Sequence, residues 1–319
     1  MKPSEIKVIL DDEKIKKALK TKEVIKAIEE GFRKKISGLI DLPPKIGPKL
    51  GIKGAFADAM PVSVFNKKGN LETLGIKWIA GFPDNVTKNL PYLNPVIVLN
   101  DPKNGLPKAI LKGNWITAIR TAGVSAVTAK YLAPKKKNIT IGIFGLGLQA
   151  YVHVLVFREI FKNAKFLLYA HDKKFLTDFR RRLPKEKFLT SENPHEVVKN
   201  SDIVLSATTF PKKVTPYIFS KDLKNDVLLL PVDYGSRIHP EVYKTLDDIY
   251  TDDTEQYKFK SKLKNYFSSN PPSIKKETGA LVTKKYKRKI GPQRILAFNL
   301  GIALFDVLVA ELFLKKAVH

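Results

Sequence analysis

Cysteine is missing from all 319 residues. Its absence excludes disulfides, thiolate metal sites and a cysteine nucleophile. Methionine and tryptophan are scarce, at two residues each. Little Cys and Met beside abundant Lys suits a hot habitat, although a biased genome base composition produces the same pattern. The five histidines, His153, His171, His195, His239 and His319, show no metal-ligand spacing. No order of Ser, His and Asp points to a hydrolytic triad. Long apolar runs are lacking too. Met1 to Lys20 is charged throughout and has no apolar core of a signal peptide. The most apolar stretch, Ile295 to Leu314, is interrupted by Asp306 and Glu311, which argues against a membrane span. A soluble, cytoplasmic protein is the expectation.

Acidic residues are the next shortage: 31 Asp and Glu stand against 57 Lys and Arg, a formal net charge of +26. Such a surplus raises the question of nucleic acid. A nucleic-acid protein is expected to concentrate its charge on one element, with aromatics or glycines between. Here lysine is spread from Lys2 to Lys316, and the densest runs, at 135–137, 180–182 and 284–289, are short. The reading is a lysine-biased surface with neither nucleic acid nor membrane as partner. Such a surface can still steer an anionic substrate or cofactor.

The 44% hydrophobic content supports real cores, and the length suits two domains. Residues 12–37 read as two amphipathic helices, ended by Leu42-Pro43-Pro44. From Gly51 to Leu111 short apolar runs alternate with turn signals such as Asn66 to Asn70 and Asp101 to Gly105. That texture predicts antiparallel strands joined by hairpins. Asn114 to Leu132 is helical and ends at Ala133-Pro134, where a domain boundary is expected. From Asn138 to about Ile290 strands and helices alternate, the pattern of a parallel, doubly wound α/β sheet. Residues 258–290 are polar and basic and fit no element. Ile295 to Ala317 reads as one long amphipathic helix, with Leu296, Leu300, Ala303, Leu304 and Val307 on one face.

Gly145-Leu146-Gly147-Leu148-Gln149-Ala150 follows the strand Ile139 to Phe144 and opens a helix. This is the context in which such a motif binds a dinucleotide. Gly145 permits the tight turn, Gly147 the approach of a pyrophosphate, and Ala150 the close helix–strand packing. The helix N-terminus adds free N–H groups and a favourable dipole. Asp172, after the second strand, is a candidate for the ribose hydroxyls and favours NAD. Its neighbours His171, Lys173 and Lys174 keep NADP open, and the plainer alternative is a surface turn. Ala207 and Thr208, at the end of the strand Asp202 to Ser206, suit packing against a nicotinamide ribose. Asp233 follows another strand and could accept a proton or bind an amine, though by itself such a residue is more often a turn or a cap.

Lys77 alternates with Leu74, Ile76 and Trp78, sharing its face with Gly75 and Ile79. Half-buried there, it would have its charged form disfavoured, which suits acid–base work. A lysine on a solvated sheet face is the commoner outcome. Arg120 is the one arginine in a helix poor in charge. It therefore calls for a specific partner, either a substrate carboxylate or an internal salt bridge. Trp78 and Trp115 read as core.

Pro43-Pro44-Lys45, Met60-Pro61, Gly75-Ile76-Lys77, Pro83-Asp84-Asn85, Thr117 to Ala122, Ser125-Ala126, Tyr131-Leu132-Ala133, Gly145 to Ala150 and Gly301-Ile302-Ala303 stand in one order. That order resembles the ornithine cyclodeaminase/mu-crystallin family over about residues 40–312. The family also holds archaeal-type alanine dehydrogenases and ketimine reductases. The resemblance implies a homodimer. It implies a substrate-binding and dimerisation domain of residues 1–120 plus 295–319, completed by the C-terminal helix. Residues 121–294 would form a Rossmann domain. It makes Lys77 the active-site lysine, Arg120 the carboxylate-binding arginine and Asp233 the carboxylate that handles the substrate amine. Lys45 stands where arginine is usual, keeping the charge but not the fork. Val232 to Arg237 replaces the usual Gly-Asp-x-Pro-Gly-Lys. Both departures weigh against ornithine cyclisation more than against hydride transfer. The implied activity is NAD(P)-dependent oxidoreduction at the α-carbon of a small amino or imino acid. The alternatives are ornithine cyclodeamination, with NAD not consumed, and a non-catalytic nucleotide-binding protein.

Overall fold

The structure, a computed structural model, describes residues 6–88, 90–170, 172–209, 215–262, 267 and 272–317. His171 and His319 lie outside the described residues. The chain forms two compact units: Met1–Arg120 with Gly301–His319, and Thr121–Leu300.

The first unit begins with strand β1 (Lys7–Ile9) and helices α1 (Asp12–Ala18) and α2 (Thr21–Ile36). Asp11 caps α1 by accepting from the backbones of Glu13 and Lys14, the role of a helix N-cap. Strands β2 (Ile40–Asp41), β3 (Phe56–Phe65), β4 (Leu71–Gly81), β5 (Leu93–Asn100) and β6 (Pro107–Lys112) follow. They pair antiparallel in sequence order, and β1 joins the far edge parallel to β6. The β3–β4 hairpin turns where Asn66 accepts from the Lys68 and Asn70 backbones and Gly69 takes φ +79°, a conformation cheap for glycine. Burial along β4 has a period of two: Thr73, Gly75, Lys77, Ile79 and Gly81 are buried. Leu74 and Ile76 are half-buried, and Trp78 is 44% exposed. Trp78 is therefore not a core residue, because alternation puts it on the outer face, whereas Trp115 is buried. Helix α3 (Asn114–Leu132) comes next, and the chain passes from one unit to the other within it, not at Ala133-Pro134.

The second unit alternates strand and helix. Its first half is β7 (Thr140–Phe144), α4 (Leu148–Ile160), β8 (Lys165–Tyr169), α5 (Lys173–Arg182), β9 (Phe188–Ser191), α6 (Pro194–Asn200) and β10 (Ile203–Ser206). Its second half is β11 (Val227–Pro231), β12 (Asp248–Thr251), α7 (Thr254–Ser261), β13 (Lys276–Glu277), α8 (Thr278–Val282) and β14 (Arg294–Phe298). These eight strands pair in parallel in the order β13-β12-β14-β11-β10-β7-β8-β9. Strand order reverses between β7 and β10, so the loops after these two strands open the crevice where such sheets bind ligands. Every residue of β11 is buried, as a central parallel strand covered on both faces requires. His153 is fully buried, with Nδ1 against the Gln149 carbonyl at 2.7 Å and Nε2 against Ser125 Oγ at 3.0 Å. Burial lowers it to about 4, so it is a neutral core residue.

The stretch expected as one helix from Ile295 to Ala317 is not one. Arg294–Phe298 is a strand, Gly301 breaks the chain at φ +78°, and helix α9 (Ala303–Ala317) starts only afterwards. A short, wholly apolar run carries no period that separates a buried strand from a helix. Strand β14 stands in the parallel sheet of the second unit, and α9 belongs to the first. There α9 packs on α2 and on the inner face of β3, β4 and β5, with the Phe32 and Phe305 rings 4.7 Å apart. Strands β9 and β12, α7, α8 and β13 carried no sequence expectation. Among the described residues no helix is long and apolar enough to cross a membrane, and no group of three or more His, Cys, Asp or Glu could hold a metal.

Candidate active site

In the first unit, the inner face of β4 holds a lysine. Lys77 is 1% exposed and sits in register between Met60 and Ile97, so the solvated-face alternative is excluded. Its Nζ donates to Asp306 Oδ2 at 2.6 Å. Arg120, near the start of α3, donates Nε to Asp306 Oδ1 at 2.9 Å. Asp306, on the first turn of α9, is fully buried and takes one cation on each oxygen. Among the described residues none accepts a hydrogen bond from the outer nitrogens of Arg120. A Cβ added at Gly301 would lie 2.4 Å from Arg120 Nη1, so glycine is needed there for both its φ and its space. Lys45 is buried one residue before the bridge of Ile46 to Ala59, and its charge acts on Lys77.

Desolvation and the Arg120 and Lys45 charges bring the Lys77 ammonium down to about 7, against the opposing pull of Asp306. For Asp306, burial alone would raise the carboxyl, but the Arg120 and Lys77 charges and hydrogen bonds outweigh it and hold it below the usual range. Asp306 is the residue that sequence reasoning missed. It registered only as one of two interruptions of an apolar run, and an acid inside such a run was the available signal.

In the second unit, Gly145 takes φ +86° at the end of β7, and a Cβ there would fall 2.6 Å from the Ala207 carbonyl. The glycine turn therefore touches the exit loop of β10, which carries Ala207 and Thr208. Gly147 is the N-cap of α4 without a side-chain cap, and a Cβ there would meet nothing within 4 Å. Gln149 has an Oε1 with no hydrogen-bond partner among the described residues, and Ala150 is buried. An uncapped helix start behind a glycine turn, with open space in front, fits a phosphate. Asp172 is the N-cap of α5, accepting from the Lys174 and Phe175 backbones on Oδ1. This is the capping alternative, and these bonds do not tie it to the glycine turn.

Asp233 lies beyond β11 and is 4% exposed. Ser206 Oγ and Thr208 Oγ1 donate to its Oδ2, the latter at 2.8 Å, while Oδ1 is buried without a partner among the described residues. Desolvation raises this carboxyl above its usual range, and the two hydroxyl bonds and the Arg237 charge offset it only in part. Arg237 donates to Thr208 Oγ1 at 3.1 Å and lies 5.4 Å from the Tyr217 ring. The structure thus groups the proposed residues into two sets: Lys45, Lys77 and Arg120 in the first unit, and Gly145, Gly147, Gln149, Ala150, Ala207, Thr208 and Asp233 in the second.

A doubly wound parallel sheet with a glycine turn at its switch point, joined to an α+β unit with a buried lysine–arginine pair, defines the class of protein. The chain belongs to the ornithine cyclodeaminase/mu-crystallin family, whose model matches residues 5–319. It is 29% identical over 298 residues to the nodulation efficiency protein NfeD of Rhizobium meliloti, covering 89% of this chain and 87% of that one. It is 28% identical over 207 residues to the alanine dehydrogenase of Archaeoglobus fulgidus, covering 65% of this chain and 62% of that protein. The solved Thermococcus litoralis Δ(1)-pyrroline-2-carboxylate reductase, in complex with NADH and L-proline, matches with a TM-score of 0.84 and 25% identity over 98% of both chains.

Proposed function

We propose that this chain is a cytoplasmic, NAD-dependent oxidoreductase that acts on the α-carbon of a small amino or imino acid. One observation carries the reading: two buried cations, Lys77 and Arg120, share the single carboxylate of Asp306. Their surplus positive charge is costly in a dry interior unless an anion joins it. A substrate α-carboxylate is such an anion, and the outer nitrogens of Arg120 offer it a two-pronged donor set. Lys45 adds charge to the same place. Lys77, held to about 7, is poised to give or take a proton at the substrate nitrogen or at an attacking water near neutral pH. Asp233, whose carboxyl burial raises above the usual range, is suited to pass a proton to the amine.

The residues fit a dinucleotide. Gly145, Gly147, Gln149 and Ala150 would hold its diphosphate, and Ala207 and Thr208 would pack against the ribose beside the nicotinamide. Asp172, although it caps α5, stays a candidate for the other ribose. When bound, the nicotinamide would take or supply the hydride of the α-carbon. NADH in the Thermococcus litoralis relative supports NAD, and Lys173 and Lys174 leave NADP as a second cofactor to assay.

The outer face of the first unit's sheet supports a homodimer. Val8, Ile110, Val98, Ile76 and Pro61 stand in register across five strands, with Val8 59% and Trp78 44% exposed. An apolar stripe of that kind marks an interface, and a second copy would cover it.

The test is a panel of amino acids, cyclic imines and 2-oxo acids with each cofactor, read at once by NADH absorbance and by proline formation. Net NADH change supports the proposal. Proline from ornithine without net NADH means a cyclodeaminase. No turnover, with Lys77→Met and wild type alike, means a nucleotide-binding protein without catalysis.

A further inference from the structure

In an all-parallel sheet every strand starts at the same edge, so every helix-to-strand connection lies there. The basic runs that look scattered along the chain are such connections. Residues 135–137 lead into β7, 180–187 into β9, and 284–289 into β14. The first and last contain lysine and arginine without a single acid. Hydrogen bonds tie this edge together. Lys136 and Lys224 both donate to Asp202 at 2.8 Å, Arg288 pairs with Asp226, and Arg158 pairs with Glu186 at 2.6 Å. These acids are consumed locally. Lys135, Lys137, Lys285, Lys287 and Lys289 are exposed and have no acidic partner among the described residues. The opposite edge carries Asp172, Asp233, Asp252, Asp253 and Glu277, which follow the C-terminal ends of strands or close them, together with Lys173, Lys174 and Arg237. The start edge is thus where the exposed basic runs of the sheet collect.

We propose that the start edge of this sheet is a binding surface for the phosphodiester backbone of a double-stranded nucleic acid. From the start of β14 through β7 to β9 the three runs cover five strand spacings of about 4.8 Å, about 24 Å, which matches about seven base pairs at 3.4 Å per step. A lipid plane rewards a set of apolar side chains that insert between headgroups, whereas within or directly beside these runs the large exposed apolar side chains are Tyr286 and Ile290. Lysine and arginine here act as point charges on phosphates, so binding is independent of sequence and strongly salt-dependent. The surface lies at the other edge of the sheet from the glycine turn, so it leaves the proposed active site untouched.

The experiment measures anisotropy of labelled DNA and RNA duplexes of about two helical turns at physiological salt. Two variants of equal net charge are compared with wild type. One reverses the edge (Lys135→Glu, Lys137→Glu, Lys285→Glu, Lys287→Glu), and the other reverses exposed lysines of α1 and α2 (Lys14→Glu, Lys17→Glu, Lys22→Glu, Lys26→Glu). Thermal unfolding confirms that each is folded. The edge variant weakens binding at least about tenfold and flattens the salt dependence, while the other changes it less than about twofold. Equal losses in both variants overturn the proposal, since net charge alone then acts. So does the absence of duplex binding by wild type, or a preference for phosphatidylserine vesicles over both duplexes.

Discussion

Asp306 and Asp233 are two buried aspartates whose surroundings push them in opposite directions. Burial raises both carboxyls. Asp306 faces two cations and ends below the usual range; Asp233 faces hydroxyls, with Arg237 acting only as a neighbouring charge, and ends above it. In a low-dielectric interior the partner decides the protonation state, not the depth. The first unit therefore keeps a permanent anion that organises cations, and the second keeps an acid able to hold a proton.

The largest effect expected from breaking this contrast is Asp306→Ala. Two buried cations lose their shared partner, which costs about 3–5 kcal/mol, read by urea unfolding. A loss below about 1 kcal/mol would remove the bridge from the account. The pH dependence follows with opposite signs. Asp306 contributes stability above its unfolded value of 3.8 that is lost as pH falls through its folded value; Asp233 contributes below 3.8 and loses it as pH rises through its folded value.

Lys77→Met separates stability from function. It removes one cation from a surplus, so the fold should hold or gain, while turnover falls by about 10²–10⁴. In wild type, amino-acid oxidation rises with pH through about 7 as Lys77 loses its proton. In stability the unfolded lysine keeps its proton up to 10.5 and the folded one only to about 7, so stability rises with pH in that window. A flat rate profile between pH 6 and 8 (about one unit either side of the shifted value) would remove Lys77 from the chemistry.

Gly301→Ala is expected to act through Arg120. A strained φ and a methyl against the guanidinium cost about 1–3 kcal/mol, and the substrate KM rises more than kcat falls. Unchanged KM would mean that Arg120 does not hold the carboxylate. The smallest stability effect is Asp233→Asn. An amide still accepts from Ser206 and Thr208, so unfolding shifts by less than about 1 kcal/mol, whereas turnover falls at least about tenfold. A destabilisation as large as that of Asp306→Ala would erase the difference between the two carboxylates.

Much of the fold was legible in residue order. Short apolar runs between turn signals located β3 to β6, and the alternation of strand and helix announced the parallel sheet, because those signals are local. The glycine turn was legible because only glycine tolerates its φ and its closeness to Ala207. Lys77 and Arg120 stood out as charges in apolar settings, although their mutual partner did not. Asp306 is 229 residues from Lys77 and 186 from Arg120, and no local pattern reports a contact of that range. Asp172 illustrates the reverse case: a local cap competes with a long-range ligand role, and spacing alone does not separate them.

The sequence by itself determined the alternation of strand and helix, the glycine turn and the chemical types at the centre, since each rests on steric or periodic rules acting over a few residues. Tertiary structure alone decided that Arg294–Phe298 is a strand, that Asp306 bridges the two cations, and that basic runs far apart along the chain share one edge. Burial and electrostatics depend on neighbours in space, and those neighbours exist only once the sheet and helices have closed around them.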